Sequence, residues 1–367
     1  MKKFTILIAA IALVCFSVPA MAVDWNFYGN ARMQTFWTSD KSDINGDFGG
    51  KEKFTDMRWD LQSNSRVGAN IKADHIKGQF EFGVNESSVS SRRLYGVWNF
   101  GAGNLKVGKD YTPMTQFVSN QAFDTDLGLL EFGAPYAGRH GQVALGFGGF
   151  EVAFITPEIG NIDDDAGVST DGLVKRIIPK IEASWGMAFD AWNFKIMGGY
   201  NYYSIKNVDS LTNPGSNDDV TVTSYTIAGG GTFNFGPAYV GAQAQYARNA
   251  GNAGWLMSYT GYDEATWDGD DDTNDVDSYG GILVAGMKVS DMLSFELGGG
   301  YMVNDPKDAD NGFDEKTKSY SVYLNSTIAL APGVFLIPEV GMLAFGNTPE
   351  DDDQGSQFYI GGKWQIN

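Results

Sequence analysis

From Asp56 to Asp74 the chain reads DMRWDLQSNSRVGANIKAD, with Asp56, Arg58, Asp60, Gln62, Asn64 and Arg66 at even positions and Met57, Trp59, Leu61, Val67, Ala69 and Ile71 among the odd ones. Successive side chains of a strand point to opposite faces, so a period of two predicts a β-strand with one wet and one apolar side. A helix would scatter Arg58, Asp60, Asn64 and Arg66 around its whole circumference. Nineteen alternating residues exceed the ~5–6 of a soluble strand and suit a tilted membrane strand, which needs ~9–11 to cross the hydrocarbon. In water such a strand would aggregate through its edges and its apolar side. Lipid covers that side, and closure into a barrel removes the edges.

The same sorting recurs along the chain. Trp25, Phe27, Ala31, Met33 and Trp37 oppose Asn26, Asn30, Arg32 and Gln34; Leu105 and Val107 oppose Lys106 and Asp110; Ile181, Ala183 and Trp185 oppose Lys180, Glu182 and Ser184; Phe358, Ile360, Trp364 and Ile366 oppose Gln357, Tyr359, Lys363 and Gln365. Gly-rich stretches such as TIAGGGTFNF and ILVAGMKV lack clear alternation and are read as strands from their place in the rhythm. Short turns fall near Asp74–Gly78, Gly101–Asn104, Gly148–Gly149, Phe189–Ala191, Phe235–Gly236, Ser290–Asp291 and Ala331–Gly333. Longer connections run over 39–55, 86–91, 112–138, 158–175, 206–219, 249–275, 304–317 and 347–355. Seven turns and eight loops join sixteen strands. The predicted fold is all-β, a transmembrane antiparallel β-barrel with both termini on the periplasmic side.

The first residues and the composition agree with export. MKKFTILIAAIALVCFSVPAMA has two lysines, an apolar run and a small-residue end, the pattern of a signal peptide cleaved after Ala22. The barrel then occupies 23–367. Removing 22 of 367 residues leaves 345, and losing Lys2 and Lys3 moves the formal charge from −19 to −21. Cys15 is the only cysteine, so the exported chain uses no disulfide. This acidity argues against nucleic acid as a partner. With only His75 and His140, and no nucleophile motif, P-loop or Cys/His cluster, enzymatic readings have little footing.

A sixteen-strand barrel is too wide for its side chains to fill and leaves an aqueous channel. Its inward positions on the first strands carry Arg32, Arg58, Arg66 and Arg93, with Lys106, Lys180 and Lys195 further round. Taken singly, each is as well explained as a solvated wall residue or an ion pair with Asp60, Glu81 or Glu182; four arginines on neighbouring strands form a group. The stretch from about 112 to 138 does not alternate, and so long a connection generally has a function.

Two motifs flank and occupy that connection. VGKDY, Val107 to Tyr111, resembles the end of the fifth strand in the general diffusion porins of Gram-negative bacteria, and LLEFGAP, Leu130 to Pro135, resembles the PEFGG tip of their third loop. The resemblance implies a homotrimer of sixteen-stranded barrels in the outer membrane, each narrowed by an infolded third loop whose acidic groups face an arginine cluster. By that resemblance Glu131 matches the acidic constriction residue, with Asp126 and Asp124 nearby, and Arg32, Arg58, Arg66 and Arg93 form the opposing cluster. Members of the family usually end on an aromatic residue, whereas this chain ends Trp364-Gln365-Ile366-Asn367.

The acidic stretches NIDDDAG, WDGDDDTNDVD and PEDDDQG carry the ligand type hard cations prefer. In the middle one, Thr273 and Tyr279 stand where a calcium loop needs glycine and glutamate, so it is not an EF-hand. Solvated extracellular loops are the plain reading. Ca²⁺ or Mg²⁺ held by Asp268, Asp270 and Asp272 and bridging to lipopolysaccharide phosphates is the other. No other cofactor is expected. The expected function is passive diffusion of small hydrophilic solutes and ions. A substrate-specific porin for oligosaccharides or anions, and a surface adhesin with an incidental pore, are the rivals.

Overall fold

The computed structural model describes residues 23–41, 53–160, 162, 174–208, 218–255, 261–267, 273–307, 315–347 and 354–367. The expected signal peptide and the cation candidates Asp268, Asp270 and Asp272 lie outside these described residues.

Eighteen hydrogen-bonded segments form one sheet, and two pairs of them are single strands broken once. Sixteen strands result. They are β1 (Asp24–Lys41), β2 (Lys53–Leu61 continued by Arg66–Lys72), β3 (Ile76–Val84), β4 (Val89–Asn99), β5 (Asn104–Tyr111), β6 (Arg139–Phe147), β7 (Phe150–Ile155) and β8 (Val174–Lys175 continued by Lys180–Ala188). The second half comprises β9 (Trp192–Val208), β10 (Asp218–Phe235), β11 (Ala238–Arg248), β12 (Val276–Lys288), β13 (Leu293–Pro306), β14 (Thr317–Ala331), β15 (Val334–Ala344) and β16 (Ser356–Ile366). Met33 on β1 faces Leu61 of β2 on one edge and Trp364 of β16 on the other, so the sheet closes on itself. Among the described residues every pairing between strands is antiparallel. Closure satisfies the edge groups that an open sheet would expose.

One expectation is corrected. The run from Asp56 to Asp74 predicts an uninterrupted strand, but it breaks at 62–65, where the Ser65 N–H donates to Gln62 O at 2.9 Å. The register against β1 shifts accordingly, from Met33 opposite Leu61 to Asn30 opposite Arg66. The break turns Gln62 and Asn64 onto the 112–138 segment, where their amides donate to Ala122 O and Thr125 O, both at 3.0 Å.

The two faces separate as the alternation demands. On β16 the side chains of Phe358, Ile360, Trp364 and Ile366 are exposed while Tyr359 and Lys363 are buried. Around the short turns the exposed residues include Trp25, Trp98, Phe147, Phe189, Trp192 and Phe235. Towards the loop ends, Tyr200 faces Tyr225 and Tyr301 faces Tyr320 across neighbouring strands, all four exposed. Two aromatic girdles bounding an apolar band are the exterior of an outer-membrane barrel, where ring faces sit in hydrocarbon and polar edges reach the headgroups. The chain is an outer-membrane β-barrel.

Its buried residues lie on the inner side. Phe36, Phe123, Leu129, Phe132, Tyr323 and Tyr359 form one cluster; Met114, Met197, Met302 and Trp255 with five alanines form a second.

Candidate functional site

The inner face of β11 and β13–β16 holds the segment between β5 and β6. The Glu339 carboxylate on β15 accepts the Ala122 and Phe123 backbone N–H groups at 2.6 and 2.9 Å, and Glu296 on β13 accepts the Asn120 N–H at 2.6 Å. Tyr239 on β11 and Tyr323 on β14 both donate to Glu296. The Gln121 amide donates to Tyr359 Oη at 2.8 Å and Ser321 Oγ at 3.1 Å, and the Phe123 ring stacks on Tyr359 with centroids 3.8 Å apart. Two carboxylates thus take the place of a sheet partner for backbone that would otherwise be buried with unsatisfied donors.

Close approach requires glycine on both sides. A Cβ on Gly300 would lie 2.1 Å from Phe132 O, and one on Gly133, at φ +113°, would meet Gly281 N, C and O at 2.5–2.8 Å.

The segment then enters a left-handed turn. Asp124, Thr125 and Asp126 have φ of 49°, 64° and 60°, a region that costs non-glycine residues on the order of 1–3 kcal/mol each. The turn aims two carboxylates at β1, β2 and β16. Asp124 Oδ1 lies 2.6 Å from Arg58 Nη1; Asp126 pairs with both Arg32 and Lys363 and accepts the Asn64 amide at 2.7 Å. Charge-assisted bonds to a fixed wall offset the backbone strain.

Glu131 is placed differently from the two aspartates. It is partly buried, has a φ of 67° and forms no ion pair among the described residues. Burial, with the nearby Asp124 charge adding to it, pushes its carboxyl up to about 7. The ion pairs to the arginine wall therefore fall on Asp124 and Asp126.

The remaining predicted cations divide into two groups. Arg66 on β2 reaches Glu81 at 3.5 Å; Arg93 on β4 reaches Asp110 at 3.5 Å and lies over the Tyr111 ring at 4.6 Å; Lys106 on β5 reaches Asp110 at 3.2 Å and Glu151 at 3.0 Å. These three belong to one wall with Arg32 and Arg58. Lys180 and Lys195 hold chain segments instead, donating to Ala253 O and Thr115 O, each at 2.9 Å.

Three cations outside the expected set also line this wall. Arg92 and Arg93 differ in parity, yet both point inward, because the β3–β4 register passes from Glu81 opposite Arg93 to Phe82 opposite Ser91 and leaves Arg92 as an extra residue. Such a bulge re-aims a side chain, and Arg92 donates to Glu81 at 2.8 Å. Lys363 was legible on the polar side of the last strand but gave no sign of its partner. Arg139 opens β6, and its guanidinium donates to Tyr111 Oη at 2.7 Å.

A second segment lines the opposite half of the interior. Trp255 is 1% exposed and donates through Nε1 to Glu182 at 2.9 Å; Asn201 donates to Glu158 O and Asn252 O, each at 3.1 Å. What stays open beside the arginine wall is a cavity of about 770 Å³ lined by Arg32, Arg66, Arg92, Arg93, Arg139 and Lys363 among others.

This geometry has counterparts among solved structures. The outer-membrane channel DcaP of Acinetobacter baumannii superposes with a TM-score of 0.70 at 16% identity, over 96% of this chain and 99% of that one. The fold is that of the outer-membrane porins. An anion-selective porin from Comamonas acidovorans aligns at TM-score 0.59 and 14% identity, over 94% of this chain and 99% of its own. OmpF of Salmonella typhi, solved in complex with daunomycin, aligns at 0.55 and 12% over 93% and 97%. No family model and no curated protein matches the chain.

Proposed function

We propose that this porin-fold barrel is a passive channel of the outer membrane, through which small hydrophilic solutes and ions diffuse along a water-filled lumen. The observation that supports the reading is a set of ion pairs on the inner wall: Asp124 joins Arg58 and Asp126 joins Arg32 and Lys363, while a cavity of about 770 Å³ remains alongside them. In this reading the 112–138 segment narrows the lumen without sealing it. Charges of opposite sign across the waist set up a transverse field that orients polar solutes and disfavours apolar ones. The polypeptide needs no cofactor for this task, and its apolar band takes bilayer lipid and lipopolysaccharide.

The functional unit in this proposal is a homotrimer with one pore per barrel. Native mass measurement of the detergent-extracted protein should return three chains. Reconstitution into a planar bilayer should produce discrete conductance steps with current proportional to voltage. A barrel that inserts yet carries no steps would sink the channel reading and leave a structural or adhesive role.

A further inference from the structure

The inner wall of β5–β9 carries a second open space, about 490 Å³, beside the short β6–β7 turn. It shares no lining residue with the arginine-lined cavity. The strand register builds it. Asn104 on β5 faces Gly146 on β6, Gly146 faces Glu151 on β7, and Glu151 faces Ser184 on β8, so the four lie in one row across adjacent strands. Nearer the β8–β9 turn, Gly186 faces Lys195 and Ala188 faces Asn193. Gly146, Gly186 and Ala188 give up side-chain volume around the hollow, and Gln116 of the 112–138 segment also lines it. The Asn104 amide lies over Gly146, where a Cβ would come within 2.7 Å of its nitrogen.

The polar groups around this space are under-used. Lys195 donates to Thr115 O at 2.9 Å and forms no ion pair among the described residues, which leaves two of its three N–H donors. Glu151 gives Oε1 to Lys106 at 3.0 Å, and its second oxygen meets no donor among the described residues. Ser184 is 7% exposed, yet its hydroxyl forms no hydrogen bond among those residues, and neither do the side-chain amides of Asn104 and Asn193. Lys195 and Glu151 thus bring opposite charges to one hollow without closing on each other. Buried polar groups normally find protein partners, so a wall this short of them suits a guest that brings its own donors and acceptors.

We propose that this hollow binds a small zwitterion, an α-amino acid with an uncharged polar side chain. Its carboxylate meets Lys195, its ammonium meets Glu151, and its side chain lies among Asn104, Ser184 and Asn193. A lone anion would bring its charge against Glu151 and a lone cation against Lys195, so each wall group rejects what the other attracts. Charge-assisted bonds at both ends fix the orientation. The site goes beyond the channel reading and needs it only for passage of the ligand, not for binding.

Titration calorimetry of the detergent-solubilised protein with L-glutamine tests the site without any current. Saturable binding is expected, weakened about tenfold or more when N-acetyl-L-glutamine removes the ammonium or L-glutaminamide removes the carboxylate. Glu151→Gln and Lys195→Met should each weaken glutamine binding by a similar factor, while Lys288→Gln, on an exposed turn, leaves it unchanged. Since Lys195 also holds Thr115, Ser184→Ala and Asn193→Ala serve as variants that break no existing bond; both should keep the parental thermal midpoint and bind glutamine more weakly. Equal affinity for either analogue, parental binding in all four pocket variants, or no saturable heat up to the solubility limit of glutamine would overturn the site. Planar-bilayer recording keeps the two readings apart. Conductance steps without glutamine binding would preserve the channel and overturn the site, whereas binding by a barrel that carries no steps would preserve the site and overturn the channel.

Discussion

Glu339 accepts two consecutive backbone N–H groups, from Ala122 at 2.6 Å and Phe123 at 2.9 Å, and so one wall carboxylate fixes the chain just before its acidic turn. Asn325 donates to the same carboxylate at 3.0 Å, leaving little of its acceptor capacity unused. Glu339→Gln exchanges one acceptor for a donor facing a backbone N–H. The expected cost is about 1–3 kcal/mol, read as a lower thermal midpoint, together with larger current fluctuations in single-channel records as the segment loosens. Unchanged noise would mean that the other anchors, Glu296 and Tyr359, suffice.

Asp126 stands between two cations. Asp126→Asn leaves Arg32 and Lys363 without a charged partner, shifting the waist towards positive. The anion-to-cation permeability ratio from the reversal potential in a salt gradient should rise roughly two- to tenfold. Asp124→Asn, which frees Arg58, is expected to move the ratio in the same direction.

Glu131 should make stability depend on pH with a definite sign. Its carboxyl titrates at about 7 in the folded chain against an ordinary value of 4.5, because burial and Asp124 oppose its charge. Below about 4.5 both folded and unfolded chains hold the proton and nothing is lost. As pH rises through about 7 the folded chain must ionise a buried group, and stability falls. Glu131→Gln should therefore match the parent at pH 4 and exceed it at pH 8 by on the order of 2 kcal/mol. Equal midpoints at pH 8 would place Glu131 in water.

Gly300 marks where the wall makes room for the segment. In Gly300→Ala the new Cβ falls 2.1 Å from the Phe132 carbonyl oxygen, a backbone atom that cannot swing aside. Overpacking of this kind costs about 1–3 kcal/mol. The thermal midpoint should drop and the conductance should change, since the segment moves away from β13. At Gly101, where a Cβ would meet nothing within 4 Å, an exchange strains only the turn at φ +92° and leaves conductance alone.

Trp255 bears on the width of the lumen. Trp255→Ala removes a ring that is 1% exposed and frees Glu182 Oε1. A loss of about 3–5 kcal/mol and a larger unit conductance are expected together. A stable variant with parental conductance would show that the current never passed that half of the interior.

The period-two alternation by itself determined the strand type, the sixteen-strand rhythm and the sorting of faces, because lipid outside and water inside impose opposite demands on successive residues. Arg32, Arg58, Arg66, Arg93 and Lys106 were legible on one wall for that reason. Tertiary structure alone decided the pairings. Asp124 and Asp126 find their cations through three left-handed residues that no local preference favours, and Arg92 turns inward through a bulge that breaks the parity on which the reading rests. Lys363 meets Asp126 across 237 positions of sequence, a contact created by ring closure. In TIAGGGTFNF the alternation is lost at glycines crowded by the adjacent strands, where a Cβ on Gly230 would meet Ala242 O at 2.3 Å and one on Gly231 would meet Asn193 O at 1.9 Å; at Gly300 the glycine instead makes room for the inner segment. A period reports the environment of each residue; only the closed barrel sets which residues share it.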